Sequence, residues 1–139
     1  MSEFLKNRQT HEEIPLYQEA RVRKDAYMWR TINSQEIPFT PYKKGKANIK
    51  RVFTDKAGCK RFTGFGLLEI PPGGTFPTHT HPEREEIYYV IGGAGHLLIE
   101  DKKMEAKKGL SLYVSGDIPH GIENPTDKPL LVLFVHSLV

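Results

Sequence analysis

The sequence predicts an all-β fold of the sandwich or barrel type. From Arg61 onward, short apolar segments follow one another at regular spacing, and turns rich in glycine and proline separate them. The first thirty residues are polar and mixed, without the apolar stripe of an amphipathic helix. With 139 residues, 38% of them hydrophobic, the chain is long enough for one domain with a single core.

Residues 1–46 are predicted to form an N-terminal arm and loop. Pro15 would interrupt any long helix in the arm, because proline lacks a backbone N–H and clashes with the preceding turn. Pro38, Pro41 and Gly45 then mark the following stretch as a loop. The remaining residues, 47–139, are predicted to form the β domain.

Seven strands are predicted in the β domain, each bounded by turn-forming residues. Pro71-Pro72-Gly73-Gly74, Asp101-Lys102-Lys103 and Lys108-Gly109 are typical of such turns. The predicted strands are 47–54, 62–70, 86–91, 95–100, 104–107, 110–114 and 130–136.

The segment His79-Thr80-His81 is the strongest indication of function. On a strand, side chains two residues apart project to the same side, so both imidazoles would face one site. Glu86 follows after a short turn, and His120 lies about forty residues further on. Three histidines and a carboxylate suit Mn, Fe, Co, Ni, Cu or Zn. The alternatives are unrelated surface or core histidines, or a site of three histidines with Glu86 at its rim.

The spacing of these residues resembles the cupin superfamily. The first cupin motif has a glycine, His-x-His, a glutamate and a second glycine, and residues of this chain fit that spacing without a gap: Gly73, His79, His81, Glu86 and Gly93. The second motif is matched by Gly109, His120 and Asn124. It departs from the family at Ser115-Gly116-Asp117, which stands where cupins have Pro-x-Gly, although Gly and Asp also form tight turns.

This resemblance, which covers residues 62–136, implies a double-stranded β-helix, or jelly roll. It also implies one divalent transition metal ion per chain, held by His79, His81, Glu86 and His120. Cupins with this ligand pattern include dioxygenases, decarboxylases, isomerases and lyases, so the fold alone does not select the reaction. Among small single-domain cupins, the sulfoniopropionate lyases pair the metal with a tyrosine in a Glu-x-Tyr arrangement.

Tyr88 stands in that arrangement, two residues beyond Glu86 and therefore on the same face. It is either a catalytic group that moves protons, its pKa lowered by a nearby cation, or an aromatic residue of the barrel core. His136 lies outside both motifs and either lines the cavity or is uninvolved. Asn124 is expected to stabilise the turn after His120 rather than bind metal.

These features favour a metal-dependent enzyme that acts on a small carboxylated or oxygen-rich metabolite by Lewis-acid chemistry. The alternative is a non-catalytic module that binds a small acid or a metal. A structural or storage role without turnover is a third possibility, which open coordination positions make the least favoured of the three.

Charge is concentrated in one segment of the chain. The net charge is only +3, but Lys43 to Arg61 contains eight basic residues against a single acid, Asp55. The segment lacks a nucleic-acid-binding motif, so a solvated face is the first interpretation. A second interpretation is that Lys50 or Arg51 holds an anionic substrate at the barrel mouth.

Further expectations concern location and assembly. No apolar run is long enough to span a membrane, the N-terminus lacks the pattern of a signal peptide, and Cys59 is the only cysteine. These features predict a cytoplasmic protein. A homodimer is also expected, because a jelly-roll sheet has exposed edges that the N-terminal arm and strand 47–54 would cover across a two-fold axis.

Overall fold

The computed structural model describes residues 18–21 and 28–139. The chain forms two compact units, residues 1–38 and residues 39–139. In the first unit, β1 (Gln18–Arg21) pairs antiparallel with β2 (Met28–Thr31), and a short 3-10 helix follows at Ser34–Glu36. Residues 1–17 and 22–27 of the predicted arm lie outside the described part of the chain.

The second unit consists of two antiparallel sheets. The larger sheet has six strands in the spatial order β10-β7-β12-β5-β4-β3, and the smaller has four in the order β6-β11-β8-β9. Their bounds are β3 (Thr40–Pro41), β4 (Asn48–Thr54), β5 (Phe62–Ile70), β6 (Thr75–His79), β7 (Arg84–Gly92), β8 (Ala94–Ile99), β9 (Lys102–Lys107), β10 (Ser111–Ser115), β11 (His120–Glu123) and β12 (Leu130–Leu138).

The predicted all-β jelly roll is confirmed, and each of the seven predicted strands is present with its ends shifted by no more than two residues. The sequence pattern did not predict the bounds of β6 or β11. Both strands are short, and β6 contains a proline and β11 a glycine. Both belong to the smaller sheet and carry candidate metal ligands. Within the described residues, no helix is long and apolar enough to cross a membrane.

The hydrophobic core lies between the two sheets, because alternate residues of each strand turn inward. On β5, for example, Gly64, Gly66, Leu68 and Ile70 are buried, whereas the residues between them are partly exposed. Fully buried residues such as Val90, Leu97 and Ile122 join the inner faces of both sheets. Burying one side chain of this size contributes about 1.5–3 kcal/mol.

At one end of the core, apolar side chains give way to polar ones. On the inner face of the larger sheet, Tyr88 is paired with Phe134, and the next inward pair toward the start of β7 is Glu86 with His136. In the smaller sheet, His79 at the end of β6 is paired with His120 at the start of β11. The polar residues of both sheets therefore meet at the same end of the barrel.

Candidate metal centre

The structure brings together the four residues that the sequence analysis proposed as metal ligands. One ligand atom from each of His79, His81, Glu86 and His120 lies within 4.8 Å of the others. His120, Glu86 and His81 are buried, with 0%, 5% and 6% of their surface exposed, and His79 is partly buried. A group of polar side chains so well buried needs compensating partners.

The strands place three of these side chains, and a turn places the fourth. β6 ends at His79, so His81 lies beyond the strand, and the expectation that both histidines share one strand is wrong for His81. Its backbone N–H donates to the carbonyl of Gly116 at 2.7 Å, and its carbonyl accepts from the N–H of Arg84 at 2.9 Å. These two hydrogen bonds, rather than strand alternation, direct His81 into the site.

Backbone carbonyls determine which ring nitrogen each histidine presents. The Nδ1 atoms of His79 and His120 lie 2.7 Å from the carbonyl oxygens of Pro77 and Ile118. Nδ1 of His81 lies 3.3 Å from the carbonyl oxygen of Arg84. A carbonyl only accepts, so each Nδ1 carries a hydrogen and, in a neutral ring, each Nε2 keeps its lone pair. Contacts of this kind orient metal-binding histidines.

The atoms that these side chains direct into the site are hydrogen-bond acceptors. Nε2 of His120 lies 3.0 Å from Nε2 of His81, and both lie close to Oε1 of Glu86, at 3.1 Å and 3.4 Å. With hydrogens on the Nδ1 atoms, three acceptors face one another and require a cation between them, either a proton or a metal ion. The donor set therefore fits a divalent transition metal.

The pKa values of these groups describe the case in which a proton on a histidine, rather than a metal ion, lies between the acceptors. Burial acts to raise the pKa of Glu86, but hydrogen bonds with His120 and His81 outweigh burial and lower it to about 2. The hydrogen bond to Glu86 raises the pKa of His81, whereas burial lowers the pKa of His79. Glu86 is therefore ionised at neutral pH and supplies the negative charge that attracts a cation.

Tyr88 is fully buried next to this cluster, with its ring centroid 6.0 Å from that of His120. Its hydroxyl makes no hydrogen bond with the described residues, but it is close enough to Glu86 for the carboxylate to affect it. Burial, and then the negative charge of Glu86, raises its pKa well above the ordinary value. A lower pKa for Tyr88 with metal present stays a prediction.

Two residues of the second motif support the site without joining it. Gly116 passes so close to the carbonyl oxygens of His81 and Arg84 that a Cβ atom there would collide with both. Asn124 is buried, and its amide donates to the carbonyl oxygens of Ile70 and Lys128 at 2.8 Å and 2.6 Å. Asn124 therefore stabilises the turn after β11, as its position predicted.

His136 also lies in the site, which the motifs did not reveal. Its ring is stacked on Phe134 and lies 6.1 Å from the ring of His81, centroid to centroid. Its Nδ1 is hydrogen-bonded to the hydroxyl of Thr63. Burial is the main cause that lowers its pKa to about 4, so the ring is neutral at pH 7. The sequence held one signal: His136 lies two residues from Phe134 on the same predicted strand, so the two side chains face the same side.

Comparison with known proteins agrees with this fold. The family model described as "Cupin domain" matches residues 66–136, and the chain therefore belongs to the cupin family. The chain is 39% identical over 64 residues to an uncharacterised protein of Methanocaldococcus jannaschii. That match covers 46% of this chain and only about half, 51%, of the relative's length.

One sequence match and one structural match, both from Thermotoga maritima, have descriptions that concern oxalate. An oxalate-binding protein is 27% identical over 96 residues, which cover 69% of this chain and 79% of that protein. The crystal structure of a "predicted oxalate decarboxylase" superposes with a TM-score of 0.72 at 25% identity, covering 78% of this chain and 99% of that one. These descriptions concern a small dicarboxylate that chelates metal ions.

Proposed function

We propose that this protein is a metal-dependent enzyme that acts on a small carboxylated or oxygen-rich metabolite. His79, His81, Glu86 and His120 would hold one divalent transition metal ion. The observation that carries the proposal is the buried contact among Nε2 of His81, Nε2 of His120 and Oε1 of Glu86, at 3.0–3.4 Å. Three hydrogen-bond acceptors at these distances repel one another, and a cation between them would remove that repulsion.

A bound metal ion supplies Lewis-acid stabilisation of negative charge on a substrate oxygen. Four protein ligands leave positions for substrate on ions that prefer six ligands. The reaction would then be of lyase, isomerase, decarboxylase or dioxygenase type. The similarity to proteins described by oxalate binding and oxalate decarboxylation supports a carboxylate as the substrate group.

The chain's own residues have separate roles in this proposal. The backbone carbonyls of Pro77 and Ile118 keep Nδ1 of His79 and His120 protonated and leave Nε2 for the ion. The Tyr88 hydroxyl, buried beside Glu86, would move a proton to or from the substrate. Val90 and Val132, the next inward pair after Tyr88 and Phe134, are fully buried and would exclude water from the core side of the site.

A second candidate function is a non-catalytic module that binds a small acid. The oxalate-binding relative favours it, since its description mentions binding and no reaction. In this function the same four residues would hold the metal, and the carboxylate would bind without being converted. The two functions differ in a single measurable property, which is consumption of the ligand.

The test is a metabolite assay with defined metal content. Protein loaded separately with Mn(II), Fe(II), Ni(II) or Zn(II) is incubated with a panel of small carboxylates that includes oxalate, and the loss of each is followed by chromatography. The proposal expects metal-dependent loss of at least one compound, absent in His120→Ala. A carboxylate that raises the melting temperature without being consumed would instead support the binding module.

A further inference from the structure

Arg51 and His136 lie on the two strands that flank a pair of glycines on the inner side of the larger sheet, offset by two residues along the central strand. In the strand register Arg51 is paired with Gly66, and His136 is paired with Gly64. β5, which carries both glycines, lies between β4 and β12. Since glycine has no side chain, β5 places no side chain between β4 and β12 on this face. Directly across β5 from Arg51 is Phe134, and His136 is the next inward residue along β12.

The position of the His136 ring depends on one of these glycines. The Cε1–Nε2 edge of the ring lies where a Cβ atom of residue 64 would be, so only glycine leaves room for it. The Thr63 hydroxyl is hydrogen-bonded to Nδ1, the other ring nitrogen. When that hydroxyl donates a hydrogen bond to Nδ1, the neutral ring carries its hydrogen on Nε2, which can then donate to a ligand oxygen.

Arg51 is distinguished from its neighbour Lys50 by the face on which it lies. Lys50 is paired with the partly exposed Leu67, and its Nζ lies 4.6 Å above the ring centre of Phe39. Arg51 is on the inner face and solvent-exposed, and no carboxylate among the described residues pairs with it. Of the two basic residues considered for an anionic substrate, the fold therefore selects Arg51.

The positive charge of Arg51 affects the pKa of His136, which lies in the site. Burial is the main cause of the lowered pKa of His136, and the positive charges of Arg84, His81 and Arg51 add to it. Arg84 is already paired with Glu83 at 3.1 Å. Arg51 is thus a cation without a described carboxylate partner, near enough to His136 for its charge to act on the ring, and on the face that carries Glu86.

We propose that Arg51 and His136 form a second recognition point that binds a carboxylate group of the substrate, separate from the group that meets the metal. A guanidinium group offers two parallel N–H donors to a carboxylate, and the His136 ring adds one more. The substrate class is then a small acid with two anionic or metal-binding ends. This inference rests on the proposed function, since it places the other end of the substrate at the metal centre.

The test compares two probes that differ by one carboxylate, succinate and butyrate. Both are titrated calorimetrically into the full-length protein, with and without bound Mn(II). The wild-type protein is expected to bind succinate at least about tenfold more tightly than butyrate, because one charge-assisted hydrogen-bonded pair contributes about this factor. Arg51→Gln should reduce the ratio to about one, and Arg51→Lys should preserve part of it.

Lys50→Gln is the matched control, because it removes the same charge one residue away on the other face. It is expected to keep the wild-type ratio. A ratio that survives Arg51→Gln, or wild-type protein that binds both acids alike, would overturn the inference. The metal-centre proposal is tested separately by the Mn(II) titration: if Mn(II) binds and the ratio is insensitive to Arg51, only this second recognition point is refuted.

Discussion

Hydrogen-bond partners at the level of single atoms determine the chemistry of this site. Carbonyl oxygens at the Nδ1 atoms of His79, His81 and His120 leave the Nε2 atoms to face Glu86. The spacing of the two cupin motifs was sufficient to predict these four side chains as neighbours. It could not predict the tautomers, because these depend on backbone oxygens whose positions follow from turns.

The proposed catalytic role of Tyr88 is tested by Tyr88→Phe. General acid–base groups typically contribute roughly 100- to 10,000-fold to a rate, so turnover of the identified substrate should fall by about that factor. The wild-type hydroxyl is buried without a hydrogen bond to the described residues, so its removal should leave the melting temperature unchanged or slightly higher. Steady-state kinetics and thermal unfolding measure the two effects.

Metal content is the control for that experiment. If Tyr88→Phe retains its metal and wild-type turnover, Tyr88 is a packing residue and the catalytic assignment is wrong. Burial and the charge of Glu86 raise the pKa of Tyr88, so a role as base would depend on a bound cation that offsets the charge of Glu86.

His136 and Arg51 show where sequence reasoning stopped at the residue scale. Neither belongs to a cupin motif. The sequence left open whether His136 lines the cavity, and whether Lys50 or Arg51 holds an anionic substrate. Their common face depends on strand register, including the irregularity in the β4–β5 pairing after Arg51. Such irregularities change which side chains face inward and leave no clear signal in the sequence.

At the scale of elements, the segment between β10 and β11 connects the second motif to His81. The sequence has Ser115-Gly116-Asp117 where cupins have Pro-x-Gly, which left the turn geometry open. In the structure Gly116 accepts a hydrogen bond from His81, and Ser115 donates to Asp117 at 2.8 Å. This turn therefore still supports the candidate metal centre through the backbone hydrogen bond to His81.

Gly116→Ala should damage both the fold and the site. An added Cβ would collide with the carbonyl oxygens of His81 and Arg84, and such overpacking typically costs about 1–3 kcal/mol. Thermal unfolding should show a lower melting temperature, and metal titration should show weaker binding because His81 is displaced.

Gly92→Ala is the control for this substitution, since a Cβ at residue 92 would meet nothing within 4 Å. It should leave stability and metal affinity close to those of the wild type. Equal behaviour of the two variants would show that the close approach of Gly116 to His81 has no energetic importance.

The smaller sheet was harder to predict than the larger one. The long strands β5, β7 and β12 have clear alternation and were predicted to within two residues. β11, by contrast, has only four residues, one of them glycine, and nearly all are buried. A short strand buried on both faces lacks the alternation that reveals longer strands.

At the scale of the whole molecule, the homodimer stays a prediction. Large apolar side chains are exposed on the outer face of the larger sheet, where Ile87 is paired with Tyr113 and Tyr89 lies two residues along. A second copy of the chain would cover such a face and protect the sheet edges. Deletion of residues 1–25 should weaken dimerisation or solubility, as measured by light scattering.

Ile87→Lys is a second variant for the same prediction, because a charge on the outer face would oppose burial against another subunit. It should shift the protein toward monomer while the metal site on the inner face remains intact. Full-length wild-type protein that is monomeric at micromolar concentration would contradict the homodimer.

Metal content of the purified protein tests the central claim most directly. Protein made without a metal-chelating tag is analysed by elemental mass spectrometry together with His81→Ala, His120→Ala and the control His96→Ala, whose ring pairs with Glu123 outside the cluster. We expect about one transition metal ion per chain in the wild type and in the control, and loss of most of it in the other two, each with an all-β circular dichroism spectrum. Full metal occupancy in His81→Ala and His120→Ala, or wild-type protein that takes up no transition metal, would contradict the account.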